Sequence, residues 1–425
     1  MSNWKLFKGG VALAALAAAS AVPAYAQVTT SEIRGVITTE AGSPISGASV
    51  IVTHEPTGTT SAVTTNSAGV YLARNLRVGG PYTVVVSGAD IRTVEVTDVY
   101  VGLNETYDLS LPVSSERTLE AVVVTAPALA AGFMETGISS TFGLEELGRV
   151  VSIDRDIADA AQLDPFASIN VQSGGGKELS IAGANNRFNS LTIDGIALND
   201  RFGLNSNGYP TQRSPIPYDA IESLTVQTAP YDTQFNGFTG GTINAVTQSG
   251  TNEFHGSLSY YTTDDSMAGD RVGDTTVSRE FDEESYAITL GGPIIEDKLF
   301  FFVAYDHFEE SAAFRTGPTG TNAVNIIDIL PSEVAEITQI ASDVYGLDAG
   351  SFSGIDPVED EKFLANIDWN INENHRARLT YMRTEGSSIA EQNGNNFVQG
   401  ADVAYPSSWY NRSETVEAFI GHVYS

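Results

Sequence analysis

Five histidines, a glycine-rich stretch ending in lysine, and two clusters of acids are the places where residue type alone suggests chemistry in this chain. His54, His255, His307, His375 and His422 are scattered; none belongs to an HExxH or another metal-spaced pair, and no GxSxG is present to seat a nucleophile. A phosphate-cradling loop needs a leading glycine and a Ser or Thr after the lysine. The run GGGKE at 174–178 has neither, which leaves a flexible turn. Asp264-Asp265 and Asp282-Glu283-Glu284 carry the oxygens that calcium takes, without the alternating spacing of a calcium loop. No catalytic residue, cofactor or metal ligand is therefore expected. What remains is the chemistry of the backbone. In AVVVTAP, residues 121–127, three consecutive valines follow the polar joint SSERTLE and precede a small-residue stretch reaching Gly132. Such a segment reads either as a core strand or as an exposed strand that pairs with another protein's sheet edge.

The ends of the chain and its charge bound where such pairing could occur. Lys5 and Lys8, the apolar run from Val11 to Val22, and Ala24-Tyr25-Ala26 before Gln27 compose a secretory signal peptide over residues 1–26. The run is too short for a membrane helix, and no later stretch reaches the ~18 apolar residues that one needs. A chain that enters a membrane without such a helix must do so as a barrel. There is no cysteine, so stability rests on burial and strand pairing. The formal charge is −31, and loss of the two signal lysines makes it more negative still. Phosphate backbones would be repelled, so nucleic acid is not an expected partner.

Three patterns follow one another. Residues 31–112 hold short β-branched or alternating segments separated by turn signals: EIRGVITT, ASVIVTHE, TSAVTTN, GVYLARNL, PYTVVVSG and TVEVTDVYV. They predict a small antiparallel sandwich. Residues 133–250 mix a short helix ending before Pro165 with strand-like ELSIAGA, SLTIDGIAL, AIESLTVQTA and GGTINAVTQ, an α+β domain. Within it RFGLNSNGYPTQRSPIP reads as a long exposed loop. From Thr251 the strands lengthen and alternate. Their apolar faces are Phe254, Leu258 and Tyr260; Tyr286, Ile288 and Leu290; Phe363, Ala365, Ile367, Trp369 and Ile371; and Ala377, Leu379 and Tyr381. Short turns at IIEDK and NENH alternate with long segments at 306–360 and 384–412, as in outer-membrane barrels. A soluble sandwich has the same period of two, so the alternation alone does not decide the matter.

Residues 27–112, with GSPISGASVIV, NSAGVYLARNL and GGPYTVVVSG, resemble the carboxypeptidase regulatory-like β-sandwich, an accessory module that implies no peptidase activity. Four further stretches resemble a TonB-dependent outer-membrane receptor of the Oar-like group: LEAVVVTAP at 119–127, SIAGANNRFNSLTIDGIALNDRFGL at 180–204, APYDTQFNGFTGGTINAVTQSGTNEFHGSL at 229–258 and LGGPIIEDKLFFFVAYDHFEE at 290–310. Many plugs of that family have arginine where Ala182 stands here, so substrate inference from siderophore receptors does not carry over.

The resemblance implies a mainly β chain: sandwich (27–112), linker with a TonB box (113–132), α+β plug (133–250) and the first strands of an antiparallel transmembrane barrel (251–425). Glu120, Ala121, Val122, Val123, Val124, Thr125 and Ala126 match the TonB box, which would add a strand to the sheet of TonB, the partner driven by the inner-membrane proton gradient. Asn199, Asp200, Arg201, Phe202 and Tyr209 combine charge, amide and aromatic surface as a ligand-facing plug loop. Gly240, Gly241 and Gly250 would form the plug–barrel hinge. A plug of this size has a radius of gyration of roughly 14 Å, too wide for an eight-strand barrel. The ~22 strands that the resemblance implies exceed what residues 251–425 can supply, so the sequence is expected to be a fragment holding about six. The implied location is the bacterial outer membrane with the sandwich periplasmic, and the partners are lipid, TonB and an extracellular ligand that the sequence leaves unnamed. The alternative is an adhesion or surface-assembly protein. Deleting Glu120–Ala126 would abolish energy-dependent uptake in the first case and change nothing in the second.

Overall fold

A computed structural model describes residues 29–89, 91–103, 106–114, 122–125, 138–152, 155–171, 177–200, 202–203, 205–228, 238–269, 271–272, 275–276, 280–313, 316–320, 325–348, 355–372, 375–392 and 408–424. The signal-peptide segment 1–26 lies outside them, as do Glu120, Ala121, Ala126 and Arg201.

The first unit is a sandwich of two sheets. β1 (Ser31–Thr39) pairs with β4 (Val70–Leu76), β7 (Thr106–Asp108) and β8 (Leu111–Val113). The facing sheet has the order β3-β2-β5-β6-β9, from β2 (Ser49–His54), β3 (Thr59–Thr64), β5 (Gly79–Gly88), β6 (Ile91–Val101) and β9 (Val122–Thr125). Alternation sets the core: Ile33 and Ile37 of β1 meet Val50, Val52, Val84 and Val86 of the other sheet, all fully buried. The turn expected at NSAG is present, with Asn66 Oδ1 accepting from the backbone N–H groups of Ala68 and Val70. β9 is the valine segment, here paired parallel to β6 with Val94 opposite Val122 and Thr97 opposite Thr125.

The second unit is built on a five-stranded sheet of order β10-β15-β16-β13-β14: β10 (Ser139–Gly143), β13 (Ser190–Ile193), β14 (Ile196–Ala197), β15 (Ile221–Gln227) and β16 (Thr242–Thr247). A hairpin of β11 (Ala167–Val171) and β12 (Lys177–Ile181) and two short helices, α1 (Leu144–Leu147) and α2 (Ile157–Ala161), complete it. Asp156 caps α2 by accepting from Ala158 N at 2.8 Å, and the helix stops before Pro165 as its sequence requires.

The third unit is an open antiparallel sheet of six long strands in sequence order: β17 (His255–Asp264), β20 (Phe281–Ile295), β21 (Leu299–Ala313), β24 (Ile355–Asn372), β25 (His375–Gln392) and β26 (Ser408–Tyr424). At one end residues 296–298 connect β20 to β21, and only two residues of sequence separate the end of β24 from the start of β25. At the other end the connections are long, with the ribbons β18 (Arg271–Val272) with β19 (Thr275–Thr276) and β22 (Thr316–Pro318) with β23 (Asn325–Ile327), and the helix α3 (Pro331–Tyr345). The strands run to 18 residues, well beyond the ~10 that cross a bilayer, so their upper parts stand clear of lipid.

This sheet is polarised in the reverse sense to a soluble one. Its apolar face is the exposed one: Leu258 is 79 % exposed, and Tyr260, Ile288, Leu290, Trp369 and Phe419 also lie open. Its polar face is the buried one, with Asp306, Lys362, Asn366, Asp368, Arg378 and Thr380 enclosed against the second unit. In water such an arrangement would strand both faces. In a bilayer it satisfies both: hydrocarbon covers the apolar face, and the polar face meets a folded stopper. The alternation that the sequence left ambiguous is thereby settled in favour of a membrane barrel wall.

Candidate functional site

The stopper is locked to the wall by charge. Arg155, just before α2, sends Nε to Asp306 Oδ2 of β21 at 2.7 Å and a terminal nitrogen to Asp219 Oδ2 of its own unit at 3.0 Å. Asp306 also takes Lys362 Nζ of β24 at 3.1 Å, and Lys362 in turn pairs with Asp360. Asp306 and Lys362 are each about 1 % exposed, so this chain of opposite charges sits in a low-dielectric interior where each partner depends on the others. A second set lies nearer the tight turns. Arg378 of β25 donates to Thr247 O at 2.8 Å and stands 3.6 Å from Asp194; Asn366 Nδ2 donates to Thr247 Oγ1 at 2.7 Å; His422 Nε2 lies 2.9 Å from Asp194 O. Apolar contact joins the polar seams, since Phe302, Ala304, Leu364 and Met382 of the wall belong to the same core as Ile157, Ile193 and Leu224 of the stopper.

The sandwich sits at the tight-turn end. Arg77 donates to Asp368 Oδ1 at 2.9 Å and to Asn370 Oδ1 at 3.2 Å, Asn252 N donates to Pro56 O at 2.7 Å, and Asn370 Nδ2 donates to Thr59 Oγ1 at 2.9 Å. A cavity of about 300 Å³ opens where the three units meet, lined among others by His54, Arg77, Glu222, Asp368, Arg376 and Arg378. His54 is pushed down to about 3 by burial and by Arg77 and Arg376, so it stays neutral and packs on Tyr82. Glu222 presses on the sandwich so closely that a Cβ at Gly79 would stand 2.5 Å from its Oε1. Burial raises its carboxyl to about 7, against a lowering by Arg378. A folded-state value above the unfolded 4.5 means that the folded chain holds the proton more tightly, so this group's contribution to stability is full below about 4.5 and is lost as pH rises to about 7. Glu222→Gln is expected to flatten that part of the urea-midpoint profile between pH 4.5 and 7; an unchanged slope would contradict the assignment.

The residues expected to meet ligand divide. Phe202 is 89 % exposed, as a contact residue would be. Asn199 and Asp200 are occupied in shaping the loop. Asn199 accepts from Leu191 N and donates to Asn189 O, while Asp200 accepts from the backbone N–H groups of Phe202, Gly203 and Asn205. Tyr209 corrects the expectation: it is 3 % exposed and its hydroxyl donates to Asp156 Oδ1 at 3.1 Å, so it faces the core. The stretch 201–217 reads in the sequence as an exposed loop, but among its described residues Asn205, Asn207, Thr211, Ser214 and Ile216 are buried. Its turn formers satisfy one another and the wall, as in Gln212 to Ser388 at 2.6 Å and Thr384 to Pro215 O at 2.8 Å. Lys177 of the glycine-rich run pairs with Asp159 at 2.6 Å.

The glycines expected at the hinge also separate. Gly240 and Gly241 lie before β16, inside the stopper, where a Cβ would stand 2.4 Å from Asn189 Oδ1 and 2.5 Å from Ile181 Cγ2. Gly250 stands where the chain passes to the wall; a Cβ there would meet Phe301 O at 2.2 Å and Gly292 O at 2.7 Å, so close backbone approach is what demands glycine. The ion network was missed in the sequence; its one signal was charge, Asp306 and Lys362, on strands whose outward neighbours are apolar.

A barrel wall with lipid-facing apolar surface and a folded, ion-paired stopper on its polar side defines a plugged outer-membrane β-barrel. Family models agree in order along the chain: Carboxypeptidase regulatory-like domain over residues 32–114, TonB-dependent Receptor Plug Domain over 136–242 and Outer membrane beta barrel domain over 246–324. The chain thus carries, in order, the domains of a TonB-dependent receptor of the bacterial outer membrane. It is 27 % identical over 257 residues to the TonB-dependent transporter Oar of Myxococcus xanthus, covering 57 % of this chain and 23 % of that one. It is 26 % identical over 211 residues to a probable TonB-dependent siderophore receptor, PirA, of Acinetobacter baumannii, covering 46 % and 25 %. The outer membrane transporter YddB of Escherichia coli is similar over 67 % of this chain and 36 % of its own, at 13 % identity and a TM-score of 0.46. The matched region thus spans about a quarter of the curated relatives' length.

Proposed function

We propose that this chain is part of a receptor that takes up or senses an extracellular ligand with energy delivered through TonB from the inner-membrane proton gradient. The observation that carries the reading is the position of Val122–Thr125: a strand-forming segment between a sandwich seated at the tight-turn end and a stopper bonded into the wall. Residues 120–126 are the TonB box, and strand addition suits them. Each backbone hydrogen bond gives a net ~0.5–1.5 kcal/mol, enough for a contact that forms, bears a pull and releases. The sandwich, on the side of the short turns, is periplasmic; the long connections with α3 are extracellular and meet the ligand together with Phe202. Ligand signals inward only by binding one stopper state better than the other. The sandwich, expected to end at residue 112, takes Val113 and the Val122–Thr125 strand into its sheets; stopper and wall divide at residue 250, and Gly250 is the pivot.

The test is capture of the purified periplasmic portion of TonB by this chain in detergent. Val123→Pro removes a donor and forbids regular pairing, and is expected to weaken capture at least about tenfold. Equal capture by both chains would overturn the assignment of the box.

A further inference from the structure

The valine segment is not free. β9 lies parallel on β6 in a four-residue register, Val94 to Val122, Glu95 to Val123, Val96 to Val124 and Thr97 to Thr125. Val94 and Val96 belong to the sandwich core, so β6 is a rigid support, held on its other side by β5. Without β9, β6 would end the sheet and offer an unpaired row of N–H and C=O groups. With it, the open row moves to β9: among the described residues nothing pairs on that strand's outer side. Successive residues of a strand turn their backbone groups to alternate edges, so those of β9 not used by β6 point outward.

We infer that the sandwich is a template which holds the Val122–Thr125 strand extended and offers its outer edge to the sheet edge of a periplasmic protein, giving a continuous sheet β3-β2-β5-β6-β9-partner. The inference rests on the TonB-box reading and adds to it a role for the sandwich. A loose tether must surrender backbone freedom when captured, whereas a docked strand has already done so. The partner fitted by this edge is a protein with an exposed edge strand.

The chain has no cysteine, so a pair introduced by Glu95→Cys and Val123→Cys is the sole thiol pair. Neighbouring strands lie about 4.8 Å apart, within the Cα separation that a disulfide spans. Oxidation is expected to cross-link the pair. The locked chain should then bind the periplasmic portion of TonB as tightly as the reduced chain or more so, and a free peptide of residues 119–127 should bind about tenfold more weakly than either. Failure to cross-link shows that the strand does not dock on β6, and the inference falls. Cross-linking with loss of binding that reduction restores shows that the sandwich hides the strand instead of presenting it, and the inference again falls. A peptide that binds as tightly as the chain removes the advantage claimed for docking. Binding by none of the three, with the cross-link formed, sinks the TonB-box reading itself and this inference with it.

Discussion

Asp306→Ala is expected to loosen the stopper from the wall by ~3–5 kcal/mol, the range for removing one partner of a buried ion pair. The single carboxylate holds Arg155 from one side and Lys362 from the other, at 2.7 and 3.1 Å. Its loss leaves two buried cations with less countercharge than they need. Arg155 keeps Asp219 and Lys362 keeps Asp360, which places the cost towards the lower end. Pulse proteolysis in urea, in detergent, reads it: the stopper should be cut at a lower urea concentration while circular dichroism of the wall strands is unchanged. Asp306→Asn, which keeps an acceptor, should fall between. An unchanged cleavage profile for Asp306→Ala would show that the wall and stopper are held by their apolar contacts and not by this network. Replacing the whole network, Arg155, Asp219, Asp306, Asp360 and Lys362, together by apolar residues is expected to recover part of the loss, since the penalty is that of an unpaired charge.

Ile367→Arg is expected to impair insertion into vesicles by ~2–4 kcal/mol, the cost of arginine on the lipid face near the midplane. Ile367 is outward on β24, in the middle of the outward apolar run that extends from Phe363 to Ile371. The same change at Ile371, one residue before the end of β24 at Asn372, should cost only ~0–1 kcal/mol because the guanidinium reaches the interface there. Protease protection after refolding into vesicles separates the two. Equal yields would mean that the exposed apolar face does not look into hydrocarbon.

The wall was legible in the sequence because a period of two survives wherever one face meets lipid and the other does not. The outward sets read from the sequence, such as Tyr286, Ile288 and Leu290 opposite Ser285, Ala287 and Thr289, are the exposed and enclosed faces of β20. Strand length was not legible. Towards the long-connection end the outward residues of β24 and β25 are as polar as the inward ones, so exposed Glu359 and Ser387 beside buried Asp360 and Ser388 show no apolar alternation and resemble a loop. The enclosure of residues 205–217 was hidden for a related reason: turn formers are chosen to satisfy a backbone, and they do so equally in water and in a polar lumen. Partners such as Arg155 and Asp306, 151 positions apart, meet only through the fold. Docking of the valine strand on β6 had no sequence mark at all, since any extended segment with free backbone groups could fill that edge.

Arg77 ties the sandwich to Asp368 on the rim of the wall, and the same sandwich carries β9. A load applied at β9 therefore divides: one share runs along the covalent chain towards the stopper, the other crosses the β6 ladder and is grounded on the rim. On the reading proposed above, in which a partner pulls on β9, the barrel itself would bear part of the tension until that ladder slips, and the sandwich would act as a clutch whose four-residue grip sets the force at which motion first reaches the plug.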